Sequence, residues 1–422
     1  MKLFTTTAFA LVAILSAAPA AAQSYGASAQ PPAQVPPSQQ NGDQKAAAAG
    51  PKIAPSKGAL KAIAELQDAV VKNDYASVPA KVAAANAVAT TKEDRYLIGQ
   101  LHLKAALTAK DNAGMAAAID AVAASGYLDA AKTSDLYVAL GGTYYNAKQY
   151  PQAAAAYQKA TALNPANTEA LELLGESMVA QGNKAAATSA FQRAVQVKVA
   201  AGQKPDEALL KRAVAVAYDA QSPSAVELAR QWVSAYPNAS SWSDAIAIYS
   251  NLNHPDVEGT LDLLRLKQAT GALKSGSEYA QYIRAAADQS NFNEAQKAYD
   301  AAVAANLIDP KKAEYNDLVN IKSKPKATAA DLAAATKTAQ SGMALLRIGD
   351  RYAAMGDYAK AVELYRMSMG KPGVDAAVAN LHIGMALANS GDKAGATAAL
   401  NAVTGPRADI AKFWMTYLNQ KA

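Results

Sequence analysis

The chain has 422 residues, no cysteine, three histidines and a formal net charge of +6, with 51% of its residues hydrophobic. Without cysteine it can carry neither structural disulfides nor a thiol-linked lipid, and three scattered histidines offer no metal-ligand spacing. The mild basic excess forms no Lys/Arg stripe interleaved with aromatics, which argues against a nucleic-acid partner and leaves only a weak contact with envelope polymers or a membrane surface open.

Residues 1–22 have the order of a signal peptide: Lys2, then apolar Phe9 to Leu15, then Ala20, Ala21 and Ala22 before Gln23. That order predicts cleavage near Ala22, export, and a periplasmic protein with no lipid anchor. Residues 23–57 hold Pro31-Pro32, Pro36-Pro37, repeated Gln and a run of Ala without apolar periodicity. Such a segment cannot bury enough surface to offset ordering entropy, so it is expected to be a disordered tether. From residue 58 to about 126, Ala, Leu and Val recur at helical spacing.

A sharper pattern follows. Tyr137, Leu140, Gly141, Tyr144, Ala153, Tyr157, Ala160 and Pro165 reappear 34 residues later as Leu171, Leu174, Gly175, Met178, Ala187, Phe191, Ala194 and, replacing the proline, Val199. Gly141 and Ala153, like Gly175 and Ala187, are small where two antiparallel helices must cross closely; overpacking such a contact costs roughly 1–3 kcal/mol. Pro151 suits the first turn of a second helix, Pro165 ends it, and Asn167 or Thr168 can cap the next. A period in this range marks a solenoid. The pattern resembles the tetratricopeptide repeat (TPR) family, which implies an all-α fold: an α-solenoid of antiparallel helix pairs, a TPR-like superhelix behind a disordered N-terminal tether. Residues 134–199 hold the clear repeats.

Weaker copies follow. Ala225, Trp232 and Pro237 keep part of the pattern, as do Tyr279, Tyr282, Ala295, Tyr299 and Ala302. Between Ala302 and Leu345 the period is lost in a stretch containing Pro310, Pro325 and a Lys322 to Lys326 basic run, so two blocks are expected, 58–322 and 323–422. The second block has Leu345, Ile348, Gly349, Tyr352, Ala361 and Tyr365, then Ile383, Gly384, Leu387, Ala396 and Leu400. Ile410, Phe413, Trp414, Tyr417 and Leu418 share one face of a last helix, expected to cap the open end.

The chemical inventory is thin. His102, His254 and His382 are read as helix-surface or interhelix residues, and no phosphate loop, nucleophile elbow, cofactor site or metal site is expected. Glu176-Ser177 resembles the Glu-Ser pair of lytic transglycosylases, but it falls inside a repeat helix and lacks the enclosed cleft that raises a catalytic acid's pKa. Glu169, Glu172 and Glu176 recur at i, i+3 and i+7 and so share a helix face. Mapped onto the TPR pattern, that face lines the family's concave groove, with Tyr145 and Asn146 beside it in the preceding repeat. Val138 and Gly142 stand where some TPR proteins place the side chains that grip a C-terminal carboxylate, which argues against that binding mode. The expectation is a non-enzymatic periplasmic scaffold that binds another envelope protein. Alternatives are a peptidoglycan- or polysaccharide-associated binding protein and a solenoid-bearing cell-wall hydrolase using Glu176.

Overall fold

Short polar side chains set the helix starts. In the computed structural model, which describes residues 53–421, Asn167 accepts a hydrogen bond from the Ala170 N–H and so caps the helix it precedes. Pro151 lies in the first turn of its helix, where a missing N–H has no intrahelical partner to lose. Among the described residues the regular elements are 21 α-helices and two short 3₁₀ segments, with no strand. No described helix is long and apolar enough to cross a membrane. The expected signal peptide and most of the tether lie outside the described residues.

The chain divides after Ala201 into two compact units. The first contains α1 (Leu60–Val71), α2 (Val78–Val88), α3 (Lys92–Ala109), α4 (Asn112–Ala124), α5 (Ala130–Asn146), α6 (Tyr150–Leu163), α7 (Thr168–Ala180) and α8 (Lys184–Ala200). Each helix packs mainly on its sequence neighbours, as in a solenoid. A side chain at Gly141 would run into the Tyr157 ring; at Gly175 its Cβ would stand 2.8 Å from Phe191. Ala153 and Ala187 are fully buried. Successive pairs are also tied by polar contacts: the Ser134 hydroxyl donates to the Ala160 carbonyl (3.0 Å) and accepts from the Asn167 amide (3.1 Å).

The tether ends earlier than residue 57. Asp94, fully buried at the start of α3, accepts from the Ser56 N–H (2.7 Å) and hydroxyl (2.8 Å) and from the Thr90 and Thr91 N–H groups (3.1 Å each). Burial pushes the Asp94 carboxyl up, but the donors from Ser56, Thr91 and Thr90 outweigh it and hold it far below the usual range.

The second unit contains α9 (Glu207–Asp219), α10 (Ser224–Ala235), α11 (Ala239–Asn253), α12 (Val257–Ala269), α13 (Gly276–Asp288), α14 (Phe292–Ala304), α15 (Asn316–Lys322), α16 (Ala329–Thr338), α17 (Gly342–Ala354), α18 (Tyr358–Met369), α19 (Ala376–Ser390), α20 (Lys393–Asn401) and α21 (Ala408–Gln420). Gly349 and Gly384 repeat the close approach: an added Cβ would lie 2.5 Å from Tyr365 and 2.6 Å from Leu400. Ala361 and Ala396 are fully buried. The turn inside each repeat also recurs. Lys148, Gly182, Ser290 and Gly356 share one register, and all have positive φ, between 55° and 87°. In each turn the residue after it donates to a carbonyl five positions back, as Asn183 does to Met178 (2.9 Å) and Asn291 to Ala286 (2.9 Å). The turn at Ser290 therefore fixes the register of the divergent copy at Tyr279.

The structure departs from one sequence expectation here and extends another. The boundary expected at 322/323 falls inside the second unit, because side chains bridge it: Asn293 donates to the Ala327 carbonyl (2.9 Å) and accepts its N–H (3.0 Å), while Leu318 and Leu332 are buried. The lost periodicity reflects short helices, not a gap between bodies. The last helix also does more than cover α19 and α20, reaching back to α10 and α12. Fully buried Phe413 packs on Trp242 and Tyr249, the Trp242 indole donates to Gln420 (3.3 Å), and Gln420 donates to the Val233 carbonyl (2.9 Å). The second unit therefore closes upon itself.

Candidate functional sites

The face read from the sequence lies in the first unit. Glu169 is exposed in the first turn of α7, where a carboxylate also favours the helix dipole; Glu172 and Glu176 are half-buried further along. Both of these and Tyr145 have interaction partners. Tyr145 packs edge-on against Tyr150, 5.2 Å between centroids, and Asn146 is exposed at the end of α5. Burial pushes the Tyr157 hydroxyl up, and Tyr145 and Glu169 push it further. Tyr145 and Glu169 thus stand close enough to the Tyr157 hydroxyl to act on it across the α5–α6–α7 stack. Ser177, the partner of Glu176 in the catalytic alternative, is fully buried inside α7.

A second polar constellation, absent from the sequence-level candidates, lies at the centre of the second unit. Arg265 on α12 forms a two-pronged pair with Glu294 on α14, both contacts 2.8 Å. It also reaches Asp262 (3.1 Å) and Asp350 on α17 (3.4 Å). His382 on α19 bridges two carboxylates, Nδ1 to Asp350 at 2.8 Å and Nε2 to Asp262 at 3.1 Å. Tyr365 donates to Asp350 (2.8 Å), while Tyr282 (2.8 Å) and the Asn291 amide (2.7 Å) donate to Glu294. Arg407, just before α21, meets Asp256 (2.9 Å), Glu258 (3.5 Å) and Asp262 (3.5 Å). Gly259 leaves it room, since a Cβ there would stand 2.5 Å from the guanidinium.

Asp262 is fully buried and His382 is 2% exposed, so these charges interact through little water. Burial opposes the His382 charge, but Asp350 and Asp262 outweigh it and push its pKa up to about 10. Burial likewise opposes the Asp350 charge, and His382 and Arg265 hold that carboxyl far below the usual range. His382 is thus an imidazolium clamped between helices, which agrees with its interhelix reading. Above the network opens a cleft of about 230 Å³, walled by Tyr358, Met385 and Trp414 and rimmed by Gln268, Lys297 and Asn389.

Part of this constellation has a sequence signal. Asp350 follows Gly349 as Glu176 follows Gly175, so the two carboxylates share one position in the repeat register. Nothing comparable pairs Asp262 with His382, 120 residues apart.

Comparison with known proteins bears on the repeats. Residues 141–182 match the TPR repeat family model, so the chain carries tetratricopeptide repeats. A search of curated proteins found no match. Among solved structures, one described by its functional characterisation, Pseudomonas aeruginosa pilF, is 15% identical with a TM-score of 0.25, covering 54% of this chain and 93% of that one. The C-terminal part of a TPR repeat-containing protein from Cytophaga hutchinsonii is 12% identical with a TM-score of 0.27, covering 75% and 97%. A tetratricopeptide repeat protein from Parabacteroides merdae is 11% identical with a TM-score of 0.25, covering 79% and 100%. Superpositions at this level carry no functional information.

Proposed function

We propose that this tetratricopeptide repeat protein is an exported, non-enzymatic scaffold that holds a basic segment of another cell-envelope protein. The segment would lie on the face of the first unit bearing Glu169, Glu172 and Glu176, beside Tyr145 and Asn146. The observation that carries the reading is the stack of TPR helix pairs, a scaffold type used for protein–protein interaction, with carboxylates repeating along one helix face. The order of residues 1–22 supports export and a periplasmic location. The second unit covers its own helices with α21, which favours the first unit as the side open to a partner.

A polysaccharide partner would call for exposed aromatic faces, but Tyr137, Tyr157, Tyr249, Tyr282, Tyr299, Tyr352 and Tyr365 are buried between helices. The hydrolase alternative needs Ser177 beside Glu176 at a polymer, and Ser177 is buried. The test is gentle crosslinking in periplasm followed by mass spectrometry, with Glu169→Lys, Glu172→Lys and Glu176→Lys combined in one variant. Loss of the captured protein with unchanged helicity is expected. Equal capture would refute the assignment to this face, and absence of any captured envelope protein would refute the scaffold.

A further inference from the structure

The seam formed by α10, α11 and the start of α12 is covered by one stretch at the end of the chain. Thr404 is extended and Gly405 has φ of 66°, a left-handed turn that glycine adopts without a Cβ penalty. The stretch that follows touches the seam at three places. At its near end Arg407 meets Asp256, Glu258 and Asp262, and the Tyr249 hydroxyl donates to the Pro406 carbonyl (3.3 Å). In the middle Phe413 packs on Tyr249 and Trp242. At the far end Gln420 accepts from the Trp242 indole and donates to the Val233 carbonyl. That carbonyl needs an outside donor, because the residue four positions on is Pro237, which has no N–H.

This cover can leave without dismantling what lies beneath it. Arg265 and His382 join α12, α14, α17 and α19 to one another without α21. Asp262, the fully buried carboxylate that Arg407 touches, keeps Arg265 and His382, each at 3.1 Å. Asp256 and Glu258 are 70% and 26% exposed, so water can replace the guanidinium there. Docking also leaves the Trp414 indole N–H buried without an acceptor, and release returns it to water. What holds the stretch is apolar burial of Ile410, Phe413, Trp414 and Leu418. A second helix with such a face, exposed before it docks, recovers that burial in exchange.

We propose that α21 is a releasable internal ligand on a seam that also accepts an amphipathic helix from a partner. That helix carries a basic side chain, an aromatic six residues on and an amide thirteen residues on, as Arg407, Phe413 and Gln420 do. Thirteen helical residues span about 20 Å, the reach of the helix-in-groove mode. Charge selects the basic end, since Asp256 and Glu258 pair with no other cation among the described residues. The short connection gives α21 an effective concentration on the order of millimolar, so the seam is closed at rest. This docking place is separate from the face of the first unit and does not depend on it.

The probe is a fluorescently labelled synthetic peptide of residues 404–422, added to the full chain and followed by anisotropy. Arg407→Gln or Gln420→Ala in the chain weakens the internal ligand and leaves the seam residues untouched. Each change should tighten peptide binding about tenfold over the unaltered chain, with helical circular dichroism unchanged. The peptide carrying Arg407→Gln should bind these variants about tenfold more weakly than the unaltered peptide. In native-state hydrogen exchange of the unaltered chain, α21 amides should exchange through a smaller opening than those of α12 and α19. Exchange of α21 only together with α12 and α19, no tighter binding by either chain variant, or equal binding of the two peptides would each overturn the proposal.

Discussion

Replacing Arg265 with Met removes the cation that three carboxylates share while retaining most of the side chain's length. Glu294 loses both of its 2.8 Å guanidinium contacts, and Asp262 and Asp350 lose contacts of 3.1 and 3.4 Å. Removing one partner of a buried pair typically costs about 3–5 kcal/mol, because the remaining charge stays out of water. Asp350 keeps His382 and Tyr365, so the largest share of the loss falls on Glu294. With a urea slope of roughly 2–3 kcal/mol per molar for a unit of this size, the midpoint should fall by about 1–2 M. The assay isolates the second unit, because the chain's three tryptophans, Trp232, Trp242 and Trp414, all lie in it. Adding Glu294→Gln should restore part of the midpoint by removing the stranded charge. Asp300→Asn, which breaks only an exposed pair with Lys322, should leave it unchanged. A midpoint shift for Arg265→Met no larger than that of Asp300→Asn would refute the view that this network holds the unit together.

The His382 imidazolium gives the same unit a pH signature. Its pKa is raised from 6.5 to about 10, so its contribution is complete below about pH 6.5 and fades as the pH rises to about 10, by at most about 1.4 kcal/mol per pH unit. Urea midpoints at pH 6, 8 and 10 should fall accordingly, and His382→Gln should flatten that slope. Asp350 acts oppositely: its stabilisation is present above its ordinary carboxyl range and disappears only in strong acid. Gly175→Val should destabilise the first unit by about 1–3 kcal/mol, since Phe191 cannot retreat from a helix partner, and an earlier loss of helical circular dichroism with the tryptophan transition unchanged should report it. Ser290→Gly should raise the urea midpoint of the second unit, with a gain of about 1 kcal/mol, because φ of 55° strains a residue carrying Cβ. A neutral or destabilising result would mean that its hydroxyl matters more than its backbone.

What could be read from the sequence followed from repetition. Gly141 and Gly175 sit 16 residues before Tyr157 and Phe191, and the rings they accommodate make that spacing visible without coordinates. Asn167 and Pro151 were legible because capping and first-turn chemistry are local. In α3 the corresponding contact is between Gly99 and Val122, without an aromatic, so the earlier helices read only as amphipathic. The charge network was hidden for a different reason. Arg265, Glu294, Asp350, His382 and Arg407 stand on separate elements, and only the return of the chain brings them together. The Glu169 stripe was conspicuous because its members are close in sequence, and that property carries no information about depth or enclosure.

The way α21 returns to α10 and α12 sets an order of events in folding. In the first unit each helix can settle on the one made just before it, a low contact order that favours rapid, stepwise assembly. The second unit depends on partners much further apart, such as Gln420 and Val233 at 187 residues and Trp242 and Gln420 at 178. Loops of that length carry a large closure entropy that must be met before the contacts give anything back. Until residues 405–420 have been synthesised, Asp262 lacks Arg407, and Trp242 and Tyr249 lack Phe413. A nascent chain therefore carries an apolar, acidic seam from the synthesis of Trp242 and Asp262 until that of Arg407 and Phe413, and the step that conceals the seam is the slow one.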